Sequence, residues 1–315
     1  SGLISLSEIV NHFTHSANFM GILSLKLTPS NSLVKTVFFT GLALIAFAAN
    51  SILCRLALGG NAIDASSFTI IRLLSGTLVL LLLVALKGNS NNTSSTKGSW
   101  SASFMLFLYA TTFSFAYLKL DTGTGALILF GSVQITMILL SVFSGNRLHF
   151  SEWAGVIISF MGFSYLILPT ITTPSVTGFL LMATSGIAWA IYTLKGRKSN
   201  NSLSDTTYNF LRTIPLVIAL ITITIKDAHY STEGVVLAVL SGSLASGIGY
   251  ALWYSALRGL SITQATVVQL LVPVIAVLGG IVFVSETITA RFTISASMIL
   301  GGILMVILGS RYLKQ

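Results

Sequence analysis

Along the chain, long uncharged apolar stretches alternate with short polar breaks. Residues 36–54, 98–118, 122–146, 234–257, 259–285 and 292–310 contain no Lys, Arg, Asp or Glu. Residues 153–194 run without a charge for long enough to hold two helices, divided at Pro169 and Pro174. Proline interrupts the helical hydrogen-bond ladder, so that pair marks a break. Two further apolar stretches carry one arginine near their start, Arg72 and Arg212. A membrane helix needs about 20 apolar residues. The pattern therefore predicts ten helices, near 35–55, 66–86, 100–118, 122–144, 152–169, 177–195, 205–225, 234–257, 261–284 and 292–311. Continuous apolarity excludes an outer-membrane barrel, whose strands alternate in polarity. The fold class is an all-α integral membrane protein.

The same stretches predict a repeat. At a shift of 139 residues Ala49-Asn50-Ser51-Ile52 falls on Ala188-Trp189-Ala190-Ile191, Ala126 falls on Ala265 and Gly162 on Gly301. At a shift of 140, Arg72 lies on Arg212. Five helices per half is an odd number, so the second half enters the membrane inverted relative to the first. Inverted repeats are a common architecture of secondary transporters, with the substrate held near the midplane. The expected organisation is a leader at 1–34, amphipathic or disordered with Met20 as an alternative start, then one five-helix repeat at 35–170 and a second at 177–311.

Composition agrees: 54% of the 315 residues are apolar and 8% charged, against about 25% charged in soluble domains. The net charge of +9 follows from topology. With both termini in the cytoplasm, eleven Lys and Arg fall inside, among them Lys87, Lys97, Lys195 and Arg258, against six outside when Arg72 and Arg212 are counted there. Those two arginines are expected to anchor helices at the outer interface by snorkelling, with binding of an anionic solute as the alternative reading. A lone cysteine, Cys54, excludes an intrachain disulfide framework and a Cys-rich metal site.

Several segments resemble the drug/metabolite transporter superfamily, in its ten-helix EamA-like branch. They are Ala49-Asn50-Ser51, Ile187-Ala188-Trp189-Ala190, Tyr254-Ser255-Ala256-Leu257-Arg258 and Val284-Ser285-Glu286-Thr287-Ile288-Thr289. The first-half turn Gly145-Asn146-Arg147-Leu148 departs from the pattern, with Arg where Glu is often seen. The resemblance implies a carrier; members export amino acids or move sugars and nucleotide sugars.

Polar groups inside a bilayer usually face a cavity or another helix. Asn50 is a candidate substrate hydrogen-bonder, and a helix–helix bond is the alternative. Gln134 and Gln269 are deep enough to line a pathway; Gln264 lies at the start of its span. Trp189 and Tyr192 share a helix face, as do Tyr250 and Tyr254. Trp189 and Tyr250 are candidate pocket walls, while Trp100, Tyr254 and Tyr312 read as interfacial belt residues. The substrate-binding set is thus Asn50, Gln134, Trp189, Tyr192, Tyr250 and Gln269. Ser241, Ala245 and Gly249 form a small face for close helix approach. Pro273 either breaks the ninth span at the substrate site or merely kinks it. Glu286 reads as a loop or helix-cap group.

An intramembrane hydrolase would need a nucleophile–base pair, paired aspartates or a metal cluster within the spans. His12, His15, His149 and His229 fall outside them, and Asp64, Asp121, Asp205 and Asp227 sit at helix ends or in loops. The chain thus reads as no enzyme, with no catalytic residue, metal or cofactor. The expected partners are a small-molecule substrate and the lipid bilayer, with no nucleic acid; the protein is a monomer or weak homodimer. The expected function is a secondary carrier in a bacterial inner membrane, moving a small organic metabolite, with amino acids and related compounds among the candidates. A membrane receptor or scaffold that binds a small ligand without moving it stays open.

Overall fold

The structure is a computed structural model that describes residues 29–87, 97–143, 150–167, 175–196, 199, 201–260, 265 and 268–312. Its helices are α1 (Pro29–Gly59), α2 (Ala65–Lys87), α3 (Trp100–Tyr117), α4 (Thr122–Phe143), α5 (Phe150–Ile167) and α6 (Val176–Gly196). They continue with α7 (Ser202–Leu211), α8 (Ile214–Thr224), α9 (Thr232–Leu240), α10 (Gly249–Leu257), α11 (Leu271–Val284) and α12 (Ala290–Tyr312). A π-helical stretch, Ser241–Ile248, joins α9 to α10 without a break in direction of chain. An isolated bridge, Ile63 with Tyr230, is the sole β pairing among the described residues.

Among the described residues, six helical stretches are long and apolar enough to cross a membrane: Leu33–Gly59, Ala65–Leu86, Thr122–Leu140, Val176–Gly196, Ser202–Asp227 and Thr232–Leu257. Polarity runs inside out. Phe38, Leu78, Phe160, Leu180 and Phe283 face outward, while Asn50, Arg72, Gln134, Ser241 and Gln269 are buried. Lipid favours this arrangement, because polar groups then find partners among helices.

Local chemistry explains where the helices depart from the expected spans. The first begins at Pro29, inside the segment expected to be leader. The seventh divides at Arg212–Thr213, because Pro215 in the first turn of α8 lacks an N–H and its ring crowds the Leu211 carbonyl. In the ninth, a turn at Leu270 precedes α11. Pro273 therefore sits in a first helical turn, where its missing N–H leaves no bond unmade. The leader up to residue 28, the 88–96 linker, the Gly145–Leu148 turn, Pro169, Pro174 and Gln264 lie outside the described residues.

Small residues set the helix packing. α2 packs against the π-helical stretch, α1 against α10 and α11, α6 against α3 and α4, and α5 against α12. A close approach is found beside the expected Ser241, Ala245 and Gly249 face, at Gly242. A Cβ there would lie 2.1 Å from the Arg72 carbonyl oxygen on α2. Such contact brings two backbones together without a hydrophobic driving force.

Bonds between loops close the ends of the bundle. At one end Asp64 caps α2, accepting from the amides of Ser66 and Ser67 at 3.0 and 2.9 Å and from that of His229 at 3.0 Å. Burial alone would raise the Asp64 carboxyl, but the bonds from Ser67, His229 and Ser66 outweigh it and hold the group below its ordinary value. A lowered folded value adds stability that is full above the unfolded carboxylate value and is lost as pH falls from there through the lower folded value. Asp64→Ala should therefore cost about 1 kcal/mol at neutral pH, as for other cap losses. In thermal unfolding of detergent-solubilised protein, the gap from wild type should close below about pH 4. A gap that persists unchanged at pH 3 would refute this account.

Beside that cap, Glu286 accepts from the Thr122 amide at 2.7 Å and the Thr122 hydroxyl at 2.8 Å, capping α4 from a distant loop. Arg55 joins it at 3.5 Å and reaches Asp121 at 3.4 Å. At the opposite end of α3, the amides of Gly98 and Ser99 donate to Asp205 and Asn209 of α7 at 2.9 and 3.0 Å.

Candidate functional site

Helices from both halves of the chain meet at one buried polar and aromatic centre. Arg72, two turns into α2, is 1% exposed. Its Nε donates to Ser246 Oγ at 2.9 Å, and its Nη2 donates to Tyr250 Oη at 2.7 Å and Tyr109 Oη at 3.1 Å. The guanidinium also lies over the rings of Phe113 and Tyr109, 4.9 and 5.2 Å from their centroids. Tyr250 in turn donates to Tyr109 Oη at 3.1 Å. Asn50 closes the group, donating to Tyr109 Oη at 3.1 Å and accepting from Ser241 Oγ at 2.6 Å.

The π-helical stretch makes this possible. Gly249 donates to the Leu244 carbonyl five residues back, so the turn is wider than an α turn. Both Ser241 and Ser246 reach buried partners on other helices from that one stretch, Asn50 on α1 and Arg72 on α2. Such turns are frequent at functional sites.

Aromatic rings wall the group. Trp189 lies 4.7 Å from Tyr250, 4.9 Å from Tyr109, 5.4 Å from Phe47 and 5.5 Å from Tyr192, centroid to centroid. Of the six residues singled out from sequence, Asn50, Trp189, Tyr192 and Tyr250 thus belong to one connected group. Gln134 is fully buried in the part of α4 that packs on Gly186 of α6. Gln269 is also buried, but its amide donates back to the Ala265 carbonyl at 3.1 Å. Among the described residues, no hydrogen bond joins Gln269 to Arg72.

Three sequence readings need correction. Arg72 does not snorkel to an interface; phenol and serine hydroxyls hold it inside the bundle. Arg212 donates to the Lys97 carbonyl and lies over Trp100, so it belongs to the Lys97 end and not to the end that holds Asp64. Tyr254 is no belt residue: it is 1% exposed and donates to the Tyr192 carbonyl at 3.1 Å. Trp100, by contrast, is exposed. Glu286 is the cap group expected.

A cavity of about 280 Å³ lies elsewhere, at the Arg55 end. Lys119, Asp121, Glu286 and Arg291 line it, and none of the six candidate residues does. Its mixed charges and loop walls make it a rim feature rather than part of the centre.

Comparison with known proteins decides the family. Residues 176–308 match the model of the EamA-like transporter family. An uncharacterized protein of Pseudomonas aeruginosa is 42% identical over 87% of this chain and 94% of its own length. An uncharacterized transporter of Archaeoglobus fulgidus is 25% identical over 65% of this chain and 74% of its own. The chain belongs to the EamA-like transporter family. A second uncharacterized transporter of Archaeoglobus fulgidus is 31% identical over 53% of this chain and 60% of its own length. A solved crystal structure, 17% identical, shares the fold with a TM-score of 0.59 over 87% of this chain and 99% of that one. This EamA-like protein is a multi-pass integral membrane protein and a membrane transporter.

Sequence reasoning missed Tyr109 in the EamA-like protein's centre, read Ser241 and its neighbour Ser246 only as small residues for helix packing, and placed Arg72 at an interface. A signal for Tyr109 was present: it precedes Tyr250 by 141 residues, close to the repeat shift. Arg72 was weighed as an anion binder and set at the interface instead, because one arginine near the start of an apolar stretch reads alike whether it turns inward or outward.

Proposed function

We propose that the protein is a secondary carrier that moves a small organic metabolite by alternating access, in a bacterial inner membrane. Ten membrane helices form two inverted five-helix repeats with both termini cytoplasmic, and the substrate binds at the Arg72 centre. The observation that carries this reading is the convergence of positions from both halves on one buried group. Asn50 and Tyr109 come from the first half, and Trp189, Ser246 and Tyr250 from the second. Where inverted repeats meet, a site near the midplane is reached from either side by rocking one half against the other. The hydroxyl and amide groups supply the hydrogen bonds such a site needs, and the rings supply apolar surface.

The test is uptake of labelled amino acids, sugars and organic acids into proteoliposomes, with the thermal stability of each variant measured alongside. At least one solute should show saturable uptake. Asn50→Leu should slow it about fivefold per folded molecule, the effect of one hydrogen bond lost to the solute, and should also lower the melting temperature, because Tyr109 and Ser241 each lose a buried partner. Normal rates in that variant would remove Asn50 from the site. Solutes that bind yet never cross would point to a receptor or scaffold instead.

A further inference from the structure

Arg72 stands where a cation is least at home. It is buried within an apolar span, and every hydrogen-bond partner recorded for it is neutral: Ser246, Tyr109 and Tyr250. Its Nη1 has no hydrogen-bond partner among the described residues. Burying an ionised group without a counter-charge costs more than neutral hydrogen bonds return. A side chain that served only to join α2, α3 and α10 would not need the charge, since a neutral group of similar length would hold the same helices at lower cost.

The surroundings are short of the same thing. Trp189 Nε1 is buried and also lacks a hydrogen-bond partner among the described residues. Donors are in excess, and negative charge is missing. One guanidinium neutralises one negative charge, so a dianionic phosphate would leave half its charge uncompensated in a low-dielectric interior. A carboxylate matches the fork of a guanidinium, and the Trp189, Phe47 and Tyr250 rings suit an apolar or aromatic body beside it.

We propose that the transported solute is an organic monocarboxylate with an apolar or aromatic body, bound through its carboxylate to Arg72. The word "transported" rests on the carrier reading above; the carboxylate site does not.

The experiment compares acids with their amides on the purified full chain in detergent. Acetate, hexanoate, phenylacetate and 3-phenylpropionate are each set against the matching neutral amide, by thermal shift and by direct binding calorimetry. At least one acid with an apolar body should raise the melting temperature in a dose-dependent way while its amide does not. A ligand selective for the folded state must do so. Arg72→Gln should weaken that binding about tenfold or more, as expected for a lost charge-assisted bond, and Arg72→Lys should retain part of it.

Acids that stabilise no better than their amides overturn the inference, and this comparison needs only wild-type protein, so a variant that fails to fold does not obscure it. Equal binding of acid and amide together with proteoliposome uptake of a neutral solute would sink the carboxylate site and leave the carrier standing. Binding of acids that depends on Arg72, with no solute ever crossing, would do the reverse.

Discussion

Gly242→Ala should be among the most damaging single substitutions in the bundle. The new methyl would sit 2.1 Å from both the Arg72 carbonyl and Ser75 Oγ, and the first of these is backbone on a neighbouring helix. Only displacement of α2 or of the π-helical stretch relieves the clash. Overpacking of this kind costs roughly 1–3 kcal/mol and at times more. Gly41→Ala and Gly301→Ala make fitting controls, because nothing lies within 4 Å of a Cβ at either position. Both are within helices, where alanine is favoured over glycine by up to about 1 kcal/mol. Melting temperature and the monodisperse fraction after extraction should fall for Gly242→Ala and hold or rise for the controls. Equal behaviour of the three would show that the helices are not packed as tightly there as described.

The second large effect is expected at Glu286. Its carboxylate accepts from the amide and hydroxyl of Thr122 and approaches Arg55. It thus ties the start of α4 to α1 and to the turn that follows α11. Hydrogen bonds to a charged group are worth about 1.5–3 kcal/mol, so Glu286→Ala should lower stability by about 2 kcal/mol. Glu286→Gln keeps an oxygen for Thr122 and drops the charge, so it should lose less. An Ala variant as stable as the Gln variant would show that the cap contributes nothing and only the charge matters.

Helix existence was legible in the sequence because lipid demands long apolar runs, and the chain supplies them with few interruptions. The boundary at Pro215 could have been read from proline chemistry, and Glu286 was read correctly from its place in a short turn. The π-helical stretch could not be read. Ser241–Ile248 looks like any small-residue run, and residue type alone does not say which carbonyl each amide takes. Tyr254 and Arg72 were misplaced for a related reason. A membrane helix is apolar on every side, so its sequence does not say which face turns inward. Asn50, Trp189, Tyr192 and Tyr250 were found because polar or amphipathic groups in mid-span have few other places to go; Tyr109, which contacts Asn50, Trp189 and Tyr250, lies 141 residues before Tyr250, close to the expected repeat shift, and was passed over.

The widened turn before α10 has a mechanical side. An i→i+5 turn holds an additional residue compared with an α turn, and each residue of an α-helix advances the chain by about 100°. Were one such bond to revert to i→i+4, everything after it would rotate by about that angle while α9 stayed in place. Tyr250 is the second residue of α10, so its hydroxyl would swing away from Arg72 and Tyr109 together. Such a swivel would turn the side chain that bonds most closely to the buried cation.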